Sequence, residues 1–404
     1  MKIVQIEEIF HPKAGYQPNV LSKYWARDGH EVVIVSCEYS KMTSKFTSFF
    51  GVENIEAQDK EYENKYGVKI VRAPVYGHFD RRNFYKFGIV KYVKTLRMIK
   101  RMKPDILFVH GNEQVISMLA FIMYKYMNIP YITDSHMVAM AMEGKPRTLF
   151  YKIYRRIITP IIIKNKITNI RTQDENFVEK YYGIPLSQCP WISVGSDIML
   201  FHRDIQVRNS FRNELNILES EFVVIYAGKL DWEKGGQLLA DAFKEKFDNR
   251  QIVLIVVGNT KDDEYGQKVD DTLSMSENRI LRFPTQDYEE LAKFYQIADL
   301  AVFPRQCSLS FYDVQACGVP IVSEDNNINV DRLKFGNGLY FKSNDINDFR
   351  EKVMSIVNMP KTEYSRMSEN AERYVMDSYS YDIIAKQYIE EMKNSIKRFN
   401  KGEL

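Results

Sequence analysis

Two lysines stand five positions apart in a short loop between a strand pattern and a helical pattern. The apolar run Phe222–Ala227 ends at Gly228, Lys229 and Lys234 follow, and a helical pattern begins at Gly236. Ammonium groups beside a helix N-terminus, where backbone amides carry partial positive charge, can hold an anion. The spacing predicts a phosphate-binding loop, although any single loop of this kind can equally be a solvated surface segment.

A second loop in the same half of the chain has features of a nucleotide site. It follows a strand pattern that ends at Pro304 and leads into a short helical pattern. Backbone amides of Leu309 and Ser310, at the start of that helix, are expected to hold phosphate oxygens. Asp313 is expected to accept hydrogen bonds from ribose hydroxyls. The alternative role of Asp313 is electrostatic stabilisation of the helix start.

The elements that must position these loops form two successive series. In the first half, strands are expected at Lys2–Ile6, Glu31–Ser36, Lys69–Ala73, Asp105–His110, Tyr131–Ser135 and Thr168–Arg171, and helices at Val20–Asp28, Phe87–Met102 and Val115–Met127. In the second half, strands are expected at Phe222–Ala227, Ile252–Val257, Arg279–Phe283, Leu300–Phe303, Pro320–Ser323 and Leu339–Phe341, and helices at Gly236–Phe247, Tyr288–Ala298 and Tyr312–Cys317. This alternation is typical of βαβ units and parallel sheets.

The restart of the pattern predicts two successive α/β units of similar size. We expect them at residues 1–200 and 201–380, joined in the turn-rich segment Gly195–Asn209. The last helical pattern, within 381–404, has no strand after it and is expected to pack back on the first domain. A chain of 404 residues is long enough for two such domains.

Composition excludes several classes of protein. Hydrophobic content of 45% and charged content of 27% are those of a globular protein. A net charge of +3 does not argue for nucleic acid, which is not expected as a partner. The four cysteines include no CxxC pair and are expected as reduced thiols, and Met1–Glu8 lacks the apolar run of a signal peptide. We therefore expect a cytoplasmic protein.

Four segments in order resemble the GT-B glycosyltransferases, specifically the retaining family 4. They read S-V-G-S-D-I-M-L-F from Ser193, A-G-K-L-D-W-E-K-G from Ala227, F-Y-Q-I-A-D-L-A-V-F-P from Phe294, and P-R-Q-C-S-L-S-F-Y-D-V-Q-A-C-G-V-P-I-V from Pro304. The resemblance implies two Rossmann-like domains facing each other across a cleft, with the donor bound by the second. It also implies transfer from a UDP- or GDP-sugar to a glycan or lipid-linked acceptor, with retention of configuration.

The resemblance also implies roles for individual residues. Lys229 and Lys234 stand where the family contacts the donor diphosphate, and His136 stands where it keeps a histidine near the reacting sugar, with His110 as the competing candidate. The remaining donor-binding candidates are Gly15, Gly228, Arg305, Ser308, Leu309, Ser310 and Asp313. No metal-binding motif ends a strand pattern, since the nearest acidic pair, Asp262–Asp263, lies in a polar segment. We therefore expect neither a metal nor a cofactor.

One departure from the family pattern concerns the donor sugar. The family places a glutamate eight residues before Asp313, and this chain has Arg305 there. An arginine cannot accept hydrogen bonds from sugar hydroxyls. Either Cys307–Ser310 re-forms the sugar pocket, or Arg305 meets an anionic sugar such as a uronic acid. A non-catalytic partner subunit and a sugar-nucleotide epimerase are the alternative functions.

Two basic segments concern the acceptor. Arg81–Lys103 and Lys145–Arg171 contain many bases and no acidic residue. Such segments favour peripheral contact with the inner face of the cell membrane, or they are amphipathic helices that keep their bases in water. The resemblance favours membrane contact, and bacterial surface polysaccharide or glycolipid synthesis is the expected setting.

Overall fold

The chain divides into two compact units, which are described separately. The computed structural model describes residues 1–38, 54–74, 81–136, 145–173, 176–247, 251–305 and 310–401. Unit 1 contains Met1–Val194 and Tyr381–Leu404, and unit 2 contains Gly195–Ser380. Ser308 and Leu309, two of the predicted phosphate-binding residues, lie outside the described residues.

Each unit contains a six-stranded parallel sheet. In unit 1 the strands are β1 Lys2–Ile6, β2 Glu31–Cys37, β3 Val68–Ala73, β4 Ile106–Val109, β5 Tyr131–Ser135 and β6 Thr168–Arg171. In unit 2 they are β7 Phe222–Ala227, β8 Ile252–Val257, β9 Arg279–Phe283, β10 Leu300–Phe303, β11 Ile321–Glu324 and β12 Gly338–Phe341. All twelve predicted strands are present, with ends that differ from the prediction by at most one residue.

The two sheets have the same strand order. It is β3-β2-β1-β4-β5-β6 in unit 1 and β12-β11-β10-β7-β8-β9 in unit 2. Counted along the chain, the first and fourth strands of each unit are neighbours in its sheet: β1 and β4 in unit 1, and β7 and β10 in unit 2. The connections therefore reverse direction between these two strands. This is the Rossmann arrangement, in which the reversal opens a crevice at the carboxyl ends of those two strands.

Fifteen α-helices occur in the described part of the chain. They are α1 Gln17–Arg27, α2 Ile55–Tyr66, α3 Arg81–Arg101, α4 Val115–Ile122, α5 Tyr124–Met127, α6 Lys145–Lys164, α7 Ile205–Glu214, α8 Gly236–Ala242, α9 Glu264–Ser274, α10 Leu291–Ile297, α11 Ser310–Ala316, α12 Asn327–Leu333, α13 Ile346–Val357, α14 Lys361–Ser378 and α15 Tyr381–Asn400. None of these helices is long and apolar enough to cross a bilayer.

Several helix boundaries differ from the sequence prediction. The pattern at Val115–Met127 is two helices, because the chain breaks at Met123, and α8 ends at Ala242 rather than at Phe247. Helices α2, α7, α9, α12, α13 and α14 were not predicted. Helices α9, α13 and α14 each bury only four residues, so the apolar stripe that marks them in the sequence is short.

The last helix packs within unit 1. The Trp25 indole donates a hydrogen bond to the Ala385 carbonyl at 3.2 Å, and the Gln17 amide donates to the Tyr388 hydroxyl at 3.0 Å. Arg27 pairs with Asp382 at 2.7 Å. Tyr388 is fully buried against the Trp25 and Phe108 rings. The C-terminal residues thus complete the core of unit 1.

Candidate functional site

Two groups of polar side chains lie at the carboxyl edges of the two sheets. The sheet-1 edge is defined here as Glu7, His110, Asp134 and His136. The sheet-2 edge is defined as the loop Gly228–Gly235 together with Arg305. Each group borders the point where its sheet reverses strand order, which is where open α/β sheets bind ligands.

A hydrogen-bonded His–Asp–His chain forms the centre of the sheet-1 edge. Asp134 Oδ2 lies 2.9 Å from His110 Nδ1 and 3.1 Å from His136 Nε2. The Gly111 amide donates to the other oxygen, Oδ1, at 2.8 Å. Asp134 is fully buried, whereas the His136 side chain is 44% exposed. The buried carboxylate therefore holds one imidazole inside the protein and one at the surface.

Strand register brings this chain together. Val109 pairs with Thr133 in the sheet, so the next residue on each strand, His110 or Asp134, lies beside the other. On the other side of β4, Ile6 of β1 pairs with Val109. Glu7, the residue after Ile6, therefore also lies beside His110. Residues that are far apart in sequence thus meet because the strands are parallel and end at the same edge.

Charge at the sheet-1 edge is set by these neighbours. Burial works against ionisation of Asp134, but the two imidazoles hold the pKa of that carboxyl well below its ordinary value. Desolvation opposes the charged form of His136, yet the Asp134 carboxylate prevails and raises the His136 pKa. Burial raises the pKa of Glu7. His136 therefore remains an imidazolium up to a higher pH than an isolated histidine does.

Sequence reasoning missed two residues next to this edge. Burial, with the Glu7 carboxylate adding to it, raises the pKa of Glu8 to about 8. His11 is fully buried, and its carbonyl accepts from the Ala14 amide and the Asn19 side chain at 3.0 and 2.9 Å. The predicted Gly15 is half-buried one residue beyond this turn. The only signal in the sequence was that these residues follow a strand end.

The His–Asp–His chain has ligand types that metals accept. The ligand atoms of His110, Asp134 and His136 all lie within 4.8 Å of one another. Both imidazoles already share one Asp134 oxygen through hydrogen bonds, whereas the buried His110 Nε2 meets no hydrogen-bond partner among the described residues. The expectation of metal-independent chemistry remains a prediction.

Glycines shape the loop of the sheet-2 edge. Gly228 has φ 155° directly after β7, and a Cβ on the neighbouring Gly258 would lie 2.0 Å from the Gly228 carbonyl oxygen. The Tyr226 hydroxyl donates to the Lys229 carbonyl at 2.5 Å, and the Leu230 amide donates to Asn259 at 3.2 Å. These contacts fix the backbone on either side of Lys229, whose side chain is exposed.

The second predicted lysine lies in the turn that leads into α8. The Lys234 amide donates to the Asp231 carboxylate at 3.0 Å, and the Gly236 amide donates to the Asp231 carbonyl at 3.0 Å. The Lys234 side chain is half-buried. Both lysines therefore lie on one loop that Asp231 and the adjacent strand hold in shape.

Arg305 joins the two segments that the sequence singled out in this half. Its guanidinium lies 4.0 Å from the centre of the Trp232 ring and donates to the Trp232 carbonyl at 3.0 Å and to Asn344 Oδ1 at 2.5 Å. Gly235 has φ +77°, and a Cβ there would lie 2.9 Å from Pro304 Cβ. The lysine loop and the end of β10 are thus in direct contact.

Asp313 is buried in α11, which begins at Ser310. Asp313 is only 5% exposed. Burial, together with the nearby Asp197 carboxylate, raises the pKa of Asp313 well above its ordinary value. The Oδ1 atom meets no hydrogen-bond donor among the described residues. Asp313 is therefore favoured as a neutral carboxyl, which can both donate and accept a hydrogen bond. Its predicted contact with ribose remains a prediction.

Comparison with known proteins gives one family and several relatives. The family model of glycosyl transferases group 1 matches residues 207–374. A lipopolysaccharide 1,2-N-acetylglucosaminetransferase of Salmonella typhimurium is 26% identical over 200 residues, which are 46% of this chain and 52% of that protein. The match thus spans about half the length of this relative. An uncharacterized glycosyltransferase of Methanocaldococcus jannaschii is 20% identical, with 91% of each chain covered.

Solved structures resemble the chain along nearly its whole length. A glycosyltransferase from Rickettsia africae has a TM-score of 0.74 at 15% identity, with 98% of each chain covered. HepE of Anabaena, solved with UDP and glucose, has a TM-score of 0.71 at 15% identity, with 98% of this chain and 100% of that chain covered. The molecule therefore has the α/β GT-B fold. The match of residues 207–374 to glycosyl transferases group 1 supports an enzyme that transfers sugar.

Proposed function

We propose that this protein is a retaining, metal-independent family 4 glycosyltransferase. It moves a sugar from a UDP- or GDP-sugar to a glycan or lipid-linked acceptor. The observation that carries this proposal is the sheet-2 edge, where Lys229 and Lys234 lie on one shaped loop after β7, inside the segment that matches the family. Nucleic acid is not a partner in this proposal.

The chemistry of the sheet-2 edge suits a departing nucleoside diphosphate. Breaking the glycosidic bond of the donor leaves negative charge on the diphosphate. Lys229 and Lys234 supply positive charge from a loop whose backbone is already fixed, so little reorganisation is needed as the charge develops. Arg305 adds a third cation, although its guanidinium is engaged with Trp232 and Asn344. The Gly228 backbone, with no side chain, leaves room for a phosphate to approach.

The sheet-1 edge suits the stabilisation of a reacting sugar or acceptor hydroxyl. The exposed His136 imidazole is held by a hydrogen bond between its Nε2 atom and the Asp134 carboxylate. This carboxylate orients the ring and favours the imidazolium form of His136. His110 occupies the buried arm of the same carboxylate. We therefore assign His136, rather than His110, to contact with substrate.

The names of relatives support the choice of substrates. The Salmonella relative is named for transfer of N-acetylglucosamine to lipopolysaccharide, and a Thermosipho melanesiensis relative, 21% identical over 402 residues, is named as a probable sucrose-phosphate synthase. HepE was solved with UDP and glucose. These names favour a nucleotide-sugar donor and synthesis of a bacterial surface polysaccharide or glycolipid.

The first experiment identifies the donor. Thermal denaturation of the full chain with a panel of UDP-, GDP- and ADP-sugars should show one class that raises the midpoint, because a ligand that binds the native state stabilises it by mass action. Release of the nucleoside diphosphate is then measured with oligosaccharide and lipid-linked acceptor fractions. Lys229→Ala with Lys234→Ala should abolish the shift, whereas the exposed control pair Lys244→Ala with Lys246→Ala should retain it.

Other outcomes separate the alternatives. Donor binding without diphosphate release in any acceptor fraction would indicate a non-catalytic partner subunit. Conversion of the donor into a different sugar nucleotide without an acceptor would indicate an epimerase. No stabilisation by any sugar nucleotide would contradict the proposal itself.

A further inference from the structure

Trp232 is an exposed aromatic residue that its neighbours hold in place. The residue is 64% exposed, yet the Arg305 guanidinium lies over its ring at 4.0 Å and donates to its carbonyl at 3.0 Å. The same guanidinium donates to Asn344 Oδ1 at 2.5 Å. The Tyr265 ring meets the indole nearly at a right angle, and the Tyr265 hydroxyl accepts from the Gln237 amide at 2.9 Å. The indole is therefore both exposed and fixed.

The position of Trp232 distinguishes it from apolar residues scattered over a surface, which are common and carry no function. It lies on the lysine loop of the sheet-2 edge, three residues after Lys229 and two before Lys234. Asp231, directly before it, is buried and accepts from the Lys234 amide at 3.0 Å, so the turn that carries the indole is shaped as well. A sugar that is attached to a diphosphate on this loop, or that approaches it, comes close to Trp232.

The chemistry of this surface matches that of a sugar ring. A pyranose has a face of C–H bonds and a rim of hydroxyl groups. The face of an indole is flat, apolar and partially negative, so it attracts C–H bonds that stack on it. The Glu233 carboxylate, on the next residue, is exposed and can accept hydrogen bonds from hydroxyl groups. Because the indole is already fixed, little conformational entropy is lost when a ligand stacks on it.

We infer that Trp232 binds a sugar ring by stacking. Arg305 covers one face of the indole, and the sugar stacks on the other. The inference rests on the proposed function, because the diphosphate assigned to Lys229 and Lys234 is what brings a sugar to this loop. The ring belongs either to the donor or to the acceptor. Both sources present the same chemistry to Trp232, and the experiment separates them.

The test is an NMR titration of the full chain that follows the indole N–H signals. The chain has three tryptophans, so the signal that disappears in Trp232→Phe belongs to Trp232. The probes are UDP and GDP, the sugar nucleotides UDP-glucose, UDP-N-acetylglucosamine and GDP-mannose, and the tetrasaccharides maltotetraose and chitotetraose. At least one sugar-bearing probe should shift the Trp232 signal further than UDP or GDP does. Trp232→Ala should weaken binding of that probe about tenfold and leave UDP and GDP within about twofold.

Matched variants separate stacking from a change of loop shape. Trp232→Phe keeps an aromatic face and should lose less than about threefold, whereas Trp232→Leu should lose as much as Trp232→Ala. Trp191→Ala, which removes a 47% exposed tryptophan of unit 1, should bind every probe like the wild type. Circular dichroism and the thermal midpoint confirm that each variant is folded.

The outcomes also identify the source of the sugar. Weaker binding of a sugar nucleotide by Trp232→Ala assigns the stacked ring to the donor, and weaker binding of a tetrasaccharide assigns it to the acceptor. The inference is overturned if the wild type binds no sugar-bearing probe, if Trp232→Ala binds all of them like the wild type, or if it loses UDP and GDP to the same extent. Failure of the proposed function gives a different pattern, in which Lys229→Ala with Lys234→Ala binds UDP and GDP like the wild type.

Discussion

The two sheet edges share a strand order but differ in chemistry. At the sheet-1 edge, a buried carboxylate, Asp134, bonds to two histidines at 2.9 and 3.1 Å and raises the pKa of His136. At the sheet-2 edge, an exposed loop carries lysines and contacts Arg305. The same Rossmann frame thus supports a proton-sharing site in one unit and a cationic site in the other. The residues after the strands, rather than the fold, decide the chemistry.

The way each edge is held also differs. Strand register alone positions Asp134 beside His110, because both directly follow paired residues. The sheet-2 loop depends on backbone shape at Gly228, Gly235 and Gly258. Substitutions at the first edge should therefore alter protonation and turnover, whereas substitutions at the second should alter donor binding, stabilisation of the leaving diphosphate or loop geometry.

The largest expected effect is at the sheet-2 edge. Lys229→Ala should lower turnover about 10²–10³-fold, because one preformed positive charge on the leaving diphosphate is lost. Lys229→Arg, which keeps the charge, should recover part of the rate. Steady-state release of nucleoside diphosphate measures both. If the turnover of Lys229→Ala equalled that of the control Lys244→Ala, the sheet-2 edge would not be the cationic site described here for the leaving diphosphate.

At the sheet-1 edge, Asp134→Asn should lower turnover about tenfold or more and leave donor affinity within twofold. The amide cannot hold His136 as an imidazolium, so the His136 pKa should fall. The chain has six histidines, which makes a histidine NMR titration practical. Ser135→Ala, on the same strand, is the control. An unchanged titration midpoint for His136 in Asp134→Asn would show that Asp134 does not set the charge of His136.

Loop geometry can be tested with two glycines of positive φ. Gly235→Ala should destabilise the protein by about 2 kcal/mol, because the left-handed conformation and the contact with Pro304 both resist a Cβ. Gly29 has φ +85° and open space around it, so Gly29→Ala should cost only about 1 kcal/mol. Denaturant unfolding measures the difference. Equal losses would mean that the Pro304 contact does not constrain the loop.

A smaller effect is expected from Glu8. Its pKa of about 8 exceeds the value in an unfolded chain, so the native state holds a proton that the unfolded state has released. The contribution of Glu8 to the free energy of unfolding should therefore fall by about 1.4 kcal/mol per pH unit between roughly pH 5 and 8. Glu8→Gln should remove this part of the pH dependence of the free energy of unfolding. Unfolding of both proteins at pH 6 and pH 7 measures it, and parallel losses would contradict the raised pKa.

Much of the fold was predictable, because buried parallel strands are short β-branched runs bounded by glycine and polar residues. The lysine loop was also visible, since its glycines and lysines are consecutive in sequence. The Asp134 bridge was not predicted, because it requires the register of β4 and β5, and neither histidine signals its partner. The Arg305–Trp232 contact was missed for a similar reason, since its two residues lie 73 positions apart in sequence and a loop backbone brings them together.

The most direct test of the central claim is calorimetric titration with the free nucleoside diphosphates UDP and GDP. The account predicts that one of them binds the wild-type chain, that Lys229→Ala with Lys234→Ala weakens binding at least 100-fold, and that His136→Ala leaves it within twofold. Equal binding by the wild type and the lysine pair, or loss of binding only in His136→Ala, would contradict the assignment of the diphosphate to the sheet-2 edge.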